Sequence, residues 1–143
     1  MRYAASMKRD AAVERLTRYF ARDGDDVACA WLFGSVARDE AAAGSDVDVA
    51  VLFRTAPPAT LAGSGLRLEG EIERALGCAV DLVVLNRAPA DLVHRVLRDG
   101  VVVFERDPSS RVRFEVRARN EWFDLERYLE QYRDSGAKSD GRR

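Results

Sequence analysis

The stretch Trp31–Phe53, WLFGSVARDEAAAGSDVDVAVLF, decides how this chain is read. An apolar run from Ala28 to Phe33 stops abruptly at Gly34-Ser35. A short polar connection follows, and Asp46 and Asp48 open a second apolar run, Val47–Phe53. Side chains alternate along a strand with period 2, so two acids two residues apart project from one face. That face is otherwise apolar, and an unpaired carboxylate there is costly or has its pKa pushed upward. The pair points to a metal site rather than to packing.

Upstream, the spacing of Ala11, Val13, Leu16, Tyr19 and Phe20 predicts a helix over residues 7–22, stopped at Gly24 by a left-handed backbone. Val27–Phe33 has the continuous apolar pattern of a strand covered on both faces. Residues 35–40 predict a short helix whose N-terminus faces the end of that strand, and 41–45 a loop of small residues. After Pro57-Pro58, the positions Leu61, Leu66, Leu68, Ile72 and Leu76 predict a helix over 59–76, closed by Gly77. A third strand, Ala79–Leu85, is interrupted by a single acid, Asp81. A helix with Pro89 as its first residue and a short strand, Val101–Glu105, come next.

Asp107-Pro108 signals the start of a last helix, with the acid as cap. Its stripe of Phe114, Ala118, Trp122, Leu125, Leu129 and Tyr132 makes one apolar face. Residues 134–143 are small, polar and charged, and predict a disordered tail behind a single domain over 1–133. The expected fold is α/β: a mixed, twisted sheet of about four strands flanked by helices, mainly on one side.

Composition narrows the classes. The chain has 143 residues, enough for one core, and a net charge of −1 from 23 basic and 24 acidic residues. Such balance gives no global attraction to nucleic acid or to an anionic membrane, so neither is an expected direct partner. Cys29 and Cys78 adjoin apolar runs without zinc or disulfide spacing and read as buried thiols. No signal peptide or membrane-length span is legible, so a soluble cytoplasmic protein is expected. His94, the single histidine, lies among apolar neighbours and reads as structural.

If the second and third strands are neighbours, Asp46, Asp48 and Asp81 converge. Clustered carboxylate oxygens suit Mg²⁺, which completes its shell with water and substrate phosphate. Gly34 lets a phosphate approach the backbone, the helix behind it offers free N–H groups, and Ser35 adds a hydroxyl donor. Arg38, one turn on, suits bidentate contact with a phosphate. A lone acid-x-acid is more often a turn cap or a pair of strand-end acids. The order strand, Gly-Ser, short helix, acid-x-acid, strand is far more specific.

That order resembles the minimal nucleotidyltransferases of the DNA polymerase β superfamily. Their pattern is Gly-Ser-x-Ala-Arg-Gly, a spacer, then Ser-Asp-x-Asp followed by apolar residues. This chain matches at Gly34, Ser35, Ala37, Arg38, Ser45, Asp46 and Asp48, and Val80–Pro89 (VDLVVLNRAP) resembles the family's third-acid strand. Asp39 stands where the pattern has glycine, placed to pair with Arg38 or to repel a triphosphate.

The resemblance implies a polymerase β-like fold with two Mg²⁺ ions held by Asp46, Asp48 and Asp81, and ATP as substrate. Asp81 would also help to deprotonate the acceptor hydroxyl, while Gly34, Ser35, Arg38 and Ser45 would bind the nucleotide. Stand-alone members of this size resemble antitoxins paired with HEPN-domain ribonuclease toxins, which implies AMP transfer to a tyrosine of the toxin. Two alternatives stay open: an antitoxin that only masks its toxin, and an antibiotic-modifying transferase completed by a partner subunit. The aromatic, Arg-rich last helix reads as cover for the sheet, with part of it free to dock a partner.

Overall fold

The computed structural model describes residues 7–58 and 65–140, with the backbone alone for 137–140. Its frame is a four-stranded sheet of β1 (Val27–Phe33), β2 (Val47–Phe53), β3 (Val80–Val84) and β4 (Val101–Glu105). The spatial order is β3-β2-β1-β4. β1 is antiparallel to both of its neighbours, whereas β2 and β3 are parallel.

All seven side chains of β1 are buried, and their alternation feeds two cores. On one face, α1 (Arg9–Asp23) and α3 (Leu66–Leu76) send Leu16, Phe20, Ile72 and Leu76 against Leu32, Val49 and Val51. On the other, α4 (Ala90–Asp99) and α5 (Pro108–Asp140) send Val93, Val96 and Phe114 against Cys29, Trp31 and Leu52. Each fully buried Leu, Ile or Phe contributes about 1.5–3 kcal/mol. The expectation of helices mainly on one side is therefore corrected. A strand that is apolar at every position needs cover on both faces. That burial also pushes the Cys29 thiol up to about 12, which makes it inert.

The helix ends depart from the sequence signals in several places. The short helix after β1, α2 (Gly34–Ala37), ends at Ala37 rather than at residue 40, and Pro89 is the N-cap of α4 rather than its first residue. Gly24 stops α1 at φ −97°, not in a left-handed turn. Space requires the glycine instead, because a Cβ would lie 2.7 Å from the Phe20 carbonyl oxygen. α3 begins at Leu66, and the part of that helix expected over 59–64 lies outside the described residues. α5 runs past Arg133, where a tail was expected, to Asp140; no proline interrupts 134–140, and Ala137 and Lys138 are good helix formers.

Other signals hold. Gly77 closes α3 at φ +74°, its N–H donating to the Glu73 carbonyl at 2.7 Å. Asp107 caps α5, accepting from the Ser110 hydroxyl at 2.6 Å and the Ser109 N–H at 3.1 Å. The Ser110 hydrogen bond holds the Asp107 carboxyl below the usual aspartate range.

Side chains from the helices cover polar groups on both outer strands. On β3, the Val80 N–H donates to Glu73 at 3.2 Å and the Leu82 N–H to Glu69 at 3.1 Å. On β4, the Val103 carbonyl accepts from the Thr17 hydroxyl at 2.8 Å. Replacing both acids by alanine, Glu69→Ala/Glu73→Ala, strips two part-buried N–H groups of their acceptors. The expected loss is about 1–3 kcal/mol per group, read by urea unfolding. Alanine favours helix, so the loss does not come from helix propensity. The Glu69→Gln/Glu73→Gln variant keeps an acceptor at each position and loses less.

Candidate functional site

β1 and β2 bring the key residues together at one end of the sheet. Phe33, the last residue of β1, lies opposite Asp48 in the antiparallel register, so the chain leaves β1 beside that acid. Gly34 then opens α2 (Gly34–Ala37) at φ +74°. A Cβ at Gly34 would lie 2.0 Å from Asp48 Oδ2 and 2.9 Å from its Cγ. Glycine is required twice over here, for the left-handed backbone and for the space that the carboxylate occupies.

On the other side of β2, Asp81 of β3 lies directly opposite Asp48 in the parallel register. Directly opposed residues share a face of the sheet. Asp46 precedes β2 by one residue and is exposed, as is Asp81, while Asp48 is half-buried. Burial pushes the Asp48 carboxyl above the usual aspartate range, and the charges of Asp81 and Asp46 push it further. Arg38 opposes them. The three acids singled out in the sequence are thus electrostatic neighbours.

Among the described residues, no group of three His, Cys, Asp or Glu side chains is arranged to hold a metal ion by itself. The donors at this end of the sheet are nevertheless all carboxylate oxygens crowding one half-buried position. Such a set fits a hard divalent cation bound through one or two carboxylates, with water and phosphate completing its shell.

The remaining predicted residues surround the acids. Ser35 lies half-buried in α2, its carbonyl accepting from the Glu40 N–H at 2.9 Å. Ser45 is half-buried at the end of the loop into β2, its N–H donating to the Ala42 carbonyl at 3.1 Å. Arg38 caps α2, and its guanidinium pairs at 3.0 Å with Glu40. The sequence reading missed Glu40 and offered Asp39 either as a partner of Arg38 or as a group that repels a triphosphate; the ion pair falls to Glu40. Asp39 instead has φ +56°, the one positive φ on a non-glycine among the described residues. The glycine of the pattern answers a backbone need there, which aspartate tolerates better than most side chains. His94 has a packing role, its ring stacked on Trp122 with centroids 4.0 Å apart.

Comparison with known proteins gives a consistent result. The family model described as polymerase beta, nucleotidyltransferase, matches residues 14–109. The crystal structure of a toxin–antitoxin with AMP-PNP is similar over 86% of this chain and 96% of that one, at 21% identity and a TM-score of 0.71. A complex of the tri-AMPylated Shewanella oneidensis HEPN toxin with MNT antitoxin is similar over 89% and 97%, at 20% identity and a TM-score of 0.67. A protein described as a minimal nucleotidyltransferase is 30% identical over 66% of this chain and 95% of its own, with a TM-score of 0.55. No curated protein matches the chain.

Two outcomes follow from the geometry. Gly34→Ala is expected to lose more than the roughly 1–2 kcal/mol of left-handed strain, because the Asp48 carboxylate must also move. Urea unfolding measures it. In metal-free buffer at neutral pH, Asp48→Asn is expected to melt above the wild type. The raised Asp48 pKa means that the folded state pays a penalty while that carboxyl is ionised. As pH falls through the raised pKa towards the ordinary aspartate value, the wild type protonates and the difference in melting temperature closes. A calorimetric pH series checks this, and an Asn variant that gains nothing at neutral pH refutes it.

Proposed function

This chain belongs to the polymerase β nucleotidyltransferase family, and from that premise we propose a specific reaction. The protein is a Mg²⁺-dependent adenylyltransferase that moves AMP from ATP to a tyrosine hydroxyl of a HEPN-domain toxin, releasing pyrophosphate. It acts in the cytoplasm as the antitoxin of that toxin. The observation that carries the reading is the register of Asp48 opposite Asp81, beside a Gly34 whose missing side chain makes room for the Asp48 carboxylate.

In this reading, Asp46, Asp48 and Asp81 hold two magnesium ions. Magnesium bound there supplies positive charge to the reacting α-phosphate and the departing pyrophosphate. Gly34 turns the backbone into α2 through its left-handed conformation, which sets Ser35 to offer a phosphate a hydroxyl donor. Ser45 lines the nucleotide beside Asp46. Arg38 grips the β- and γ-phosphates, exchanging its exposed pairing with Glu40 for a bidentate contact. Asp81, exposed on β3, takes the proton from the attacking hydroxyl.

Two similar structures support the nucleotide and the acceptor, one holding AMP-PNP and the other a tri-AMPylated HEPN toxin beside MNT antitoxin. The outer half of α5 supports a protein acceptor. Phe123, Tyr128, Leu129 and Tyr132 are all exposed there, with Tyr132 at 71%. No helix among the described residues is long and apolar enough to cross a membrane.

The test is intact-mass spectrometry of a HEPN toxin encoded beside this protein, after incubation with ATP and Mg²⁺. The toxin is expected to gain one or more AMP units. Asp48→Asn should slow the gain at least about 100-fold, the scale on which one electrostatic contact to a transition state counts. A stable complex with no mass gain overturns the transfer reaction and leaves masking of the toxin. Pyrophosphate release with an aminoglycoside alone overturns the protein acceptor.

A further inference from the structure

A concavity of about 420 Å³ lies at the opposite end of β2 from the three aspartates. Phe53, on its wall, is five residues along the strand from Asp48, roughly 17 Å at the rise of a β-strand. Leu52, Leu85, Val93 and Phe114 contribute the apolar part of the cavity, while most of the lining surface is polar. Its charged groups are Arg54, from the end of β2, and Arg113, Arg117 and Glu121 from α5. The spacing i, i+4, i+8 places those three α5 residues on one helical face. Three guanidinium groups therefore meet one carboxylate.

Arg113 lies near enough to the Asp107 carboxylate to act on its charge, but no cation of the group is held in an ion pair with a described residue. Among the described residues, Arg54 and Arg117 make no ion pair and no side-chain hydrogen bond, and Arg113 donates only to the Ser110 hydroxyl, at 3.3 Å. Arg111 on the same helix is a contrast, held between Glu105 and Glu115. The wall is also fixed in place. The Asn86 side chain accepts from the Phe53 N–H at 2.9 Å and donates to the Phe53 carbonyl at 3.1 Å. β2 is thereby clamped to the 3₁₀ turn Leu85–Arg87.

Converging guanidinium groups repel one another, and an anion between them relieves that repulsion. Their forked donors match phosphate oxygens, and the rest of the lining, part polar and part apolar, suits an uncharged ring that carries hydrogen-bonding groups. The volume falls in the range of small-ligand sites, about 300–1,000 Å³, and a concave site of this size favours a small molecule over a macromolecular surface. We propose that this cavity binds a small phosphorylated ligand, of the size and charge of a nucleoside monophosphate, at a site separate from the three aspartates. The inference is independent of the transfer reaction.

The test is titration calorimetry on the full chain in EDTA, with AMP, adenosine and inorganic phosphate as separate probes. AMP is expected to bind one-to-one and more tightly than either fragment. Arg113→Ala/Arg117→Ala, at exposed helix positions, should weaken AMP at least tenfold. Amide chemical shifts should move at Phe53, Asn86 and Arg117. No binding at millimolar AMP, unchanged affinity in the arginine variant, or shifts confined to Gly34 and Asp48 would each overturn the proposal. Adenosine binding as tightly as AMP overturns the phosphate assignment.

Discussion

The carboxylate of Asp48 occupies the space that a side chain at position 34 would take. Much else depends on that contact. It fixes where β1 ends, how α2 starts and which register β2 adopts against β1. Asp48 shares its face of the sheet with Ala50 and Leu52, which pack under α4 and α5. Val47, Val49 and Val51 face the core beneath α1 and α3. A slip of one residue would turn Asp48 into that second core, among apolar side chains such as Leu16 and Phe20. The register of the fold and the placement of the acid are one constraint.

The site also carries an electrostatic load. Burial and two neighbouring carboxylates disfavour the ionised form of Asp48, and one arginine only partly compensates. The surrounding structure has to hold this arrangement against its own preference. β1 is suited to that task, because all of its side chains are buried and it is paired on both edges. The core is built around the strand that leads into the site.

Much of this was legible in the sequence because alternation is a strong signal. Asp46-x-Asp48 and Asp81 stood out as acids in apolar runs, and the pairing of β2 with β3 brings them together. Stop signals were legible as positions more than as conformations. Gly24 and Gly77 both end helices, yet one does so through lack of space and the other through a left-handed turn. Pairings across turns were not legible. Glu40 rather than Asp39 holds Arg38, because the turn places Asp39 in a left-handed conformation. The arginine cluster was invisible for another reason. Arg113 and Arg117 look like an ordinary solvated face until Arg54, some sixty residues away in the chain, arrives beside them.

The acids and the hydroxyl that close the outer strands limit how other chains can be recognised. A partner that added a strand to β3 would have to displace Glu69 and Glu73 from the Leu82 and Val80 N–H groups, and one that approached β4 would meet Thr17. Extension of the sheet by a foreign peptide, a common route both to recognition and to aggregation, is therefore obstructed on both sides. Recognition falls instead to side-chain surfaces, with their shape and charge setting selectivity. Backbone pairing accepts almost any extended sequence, so closing that route also narrows the range of proteins that this chain can engage by mistake.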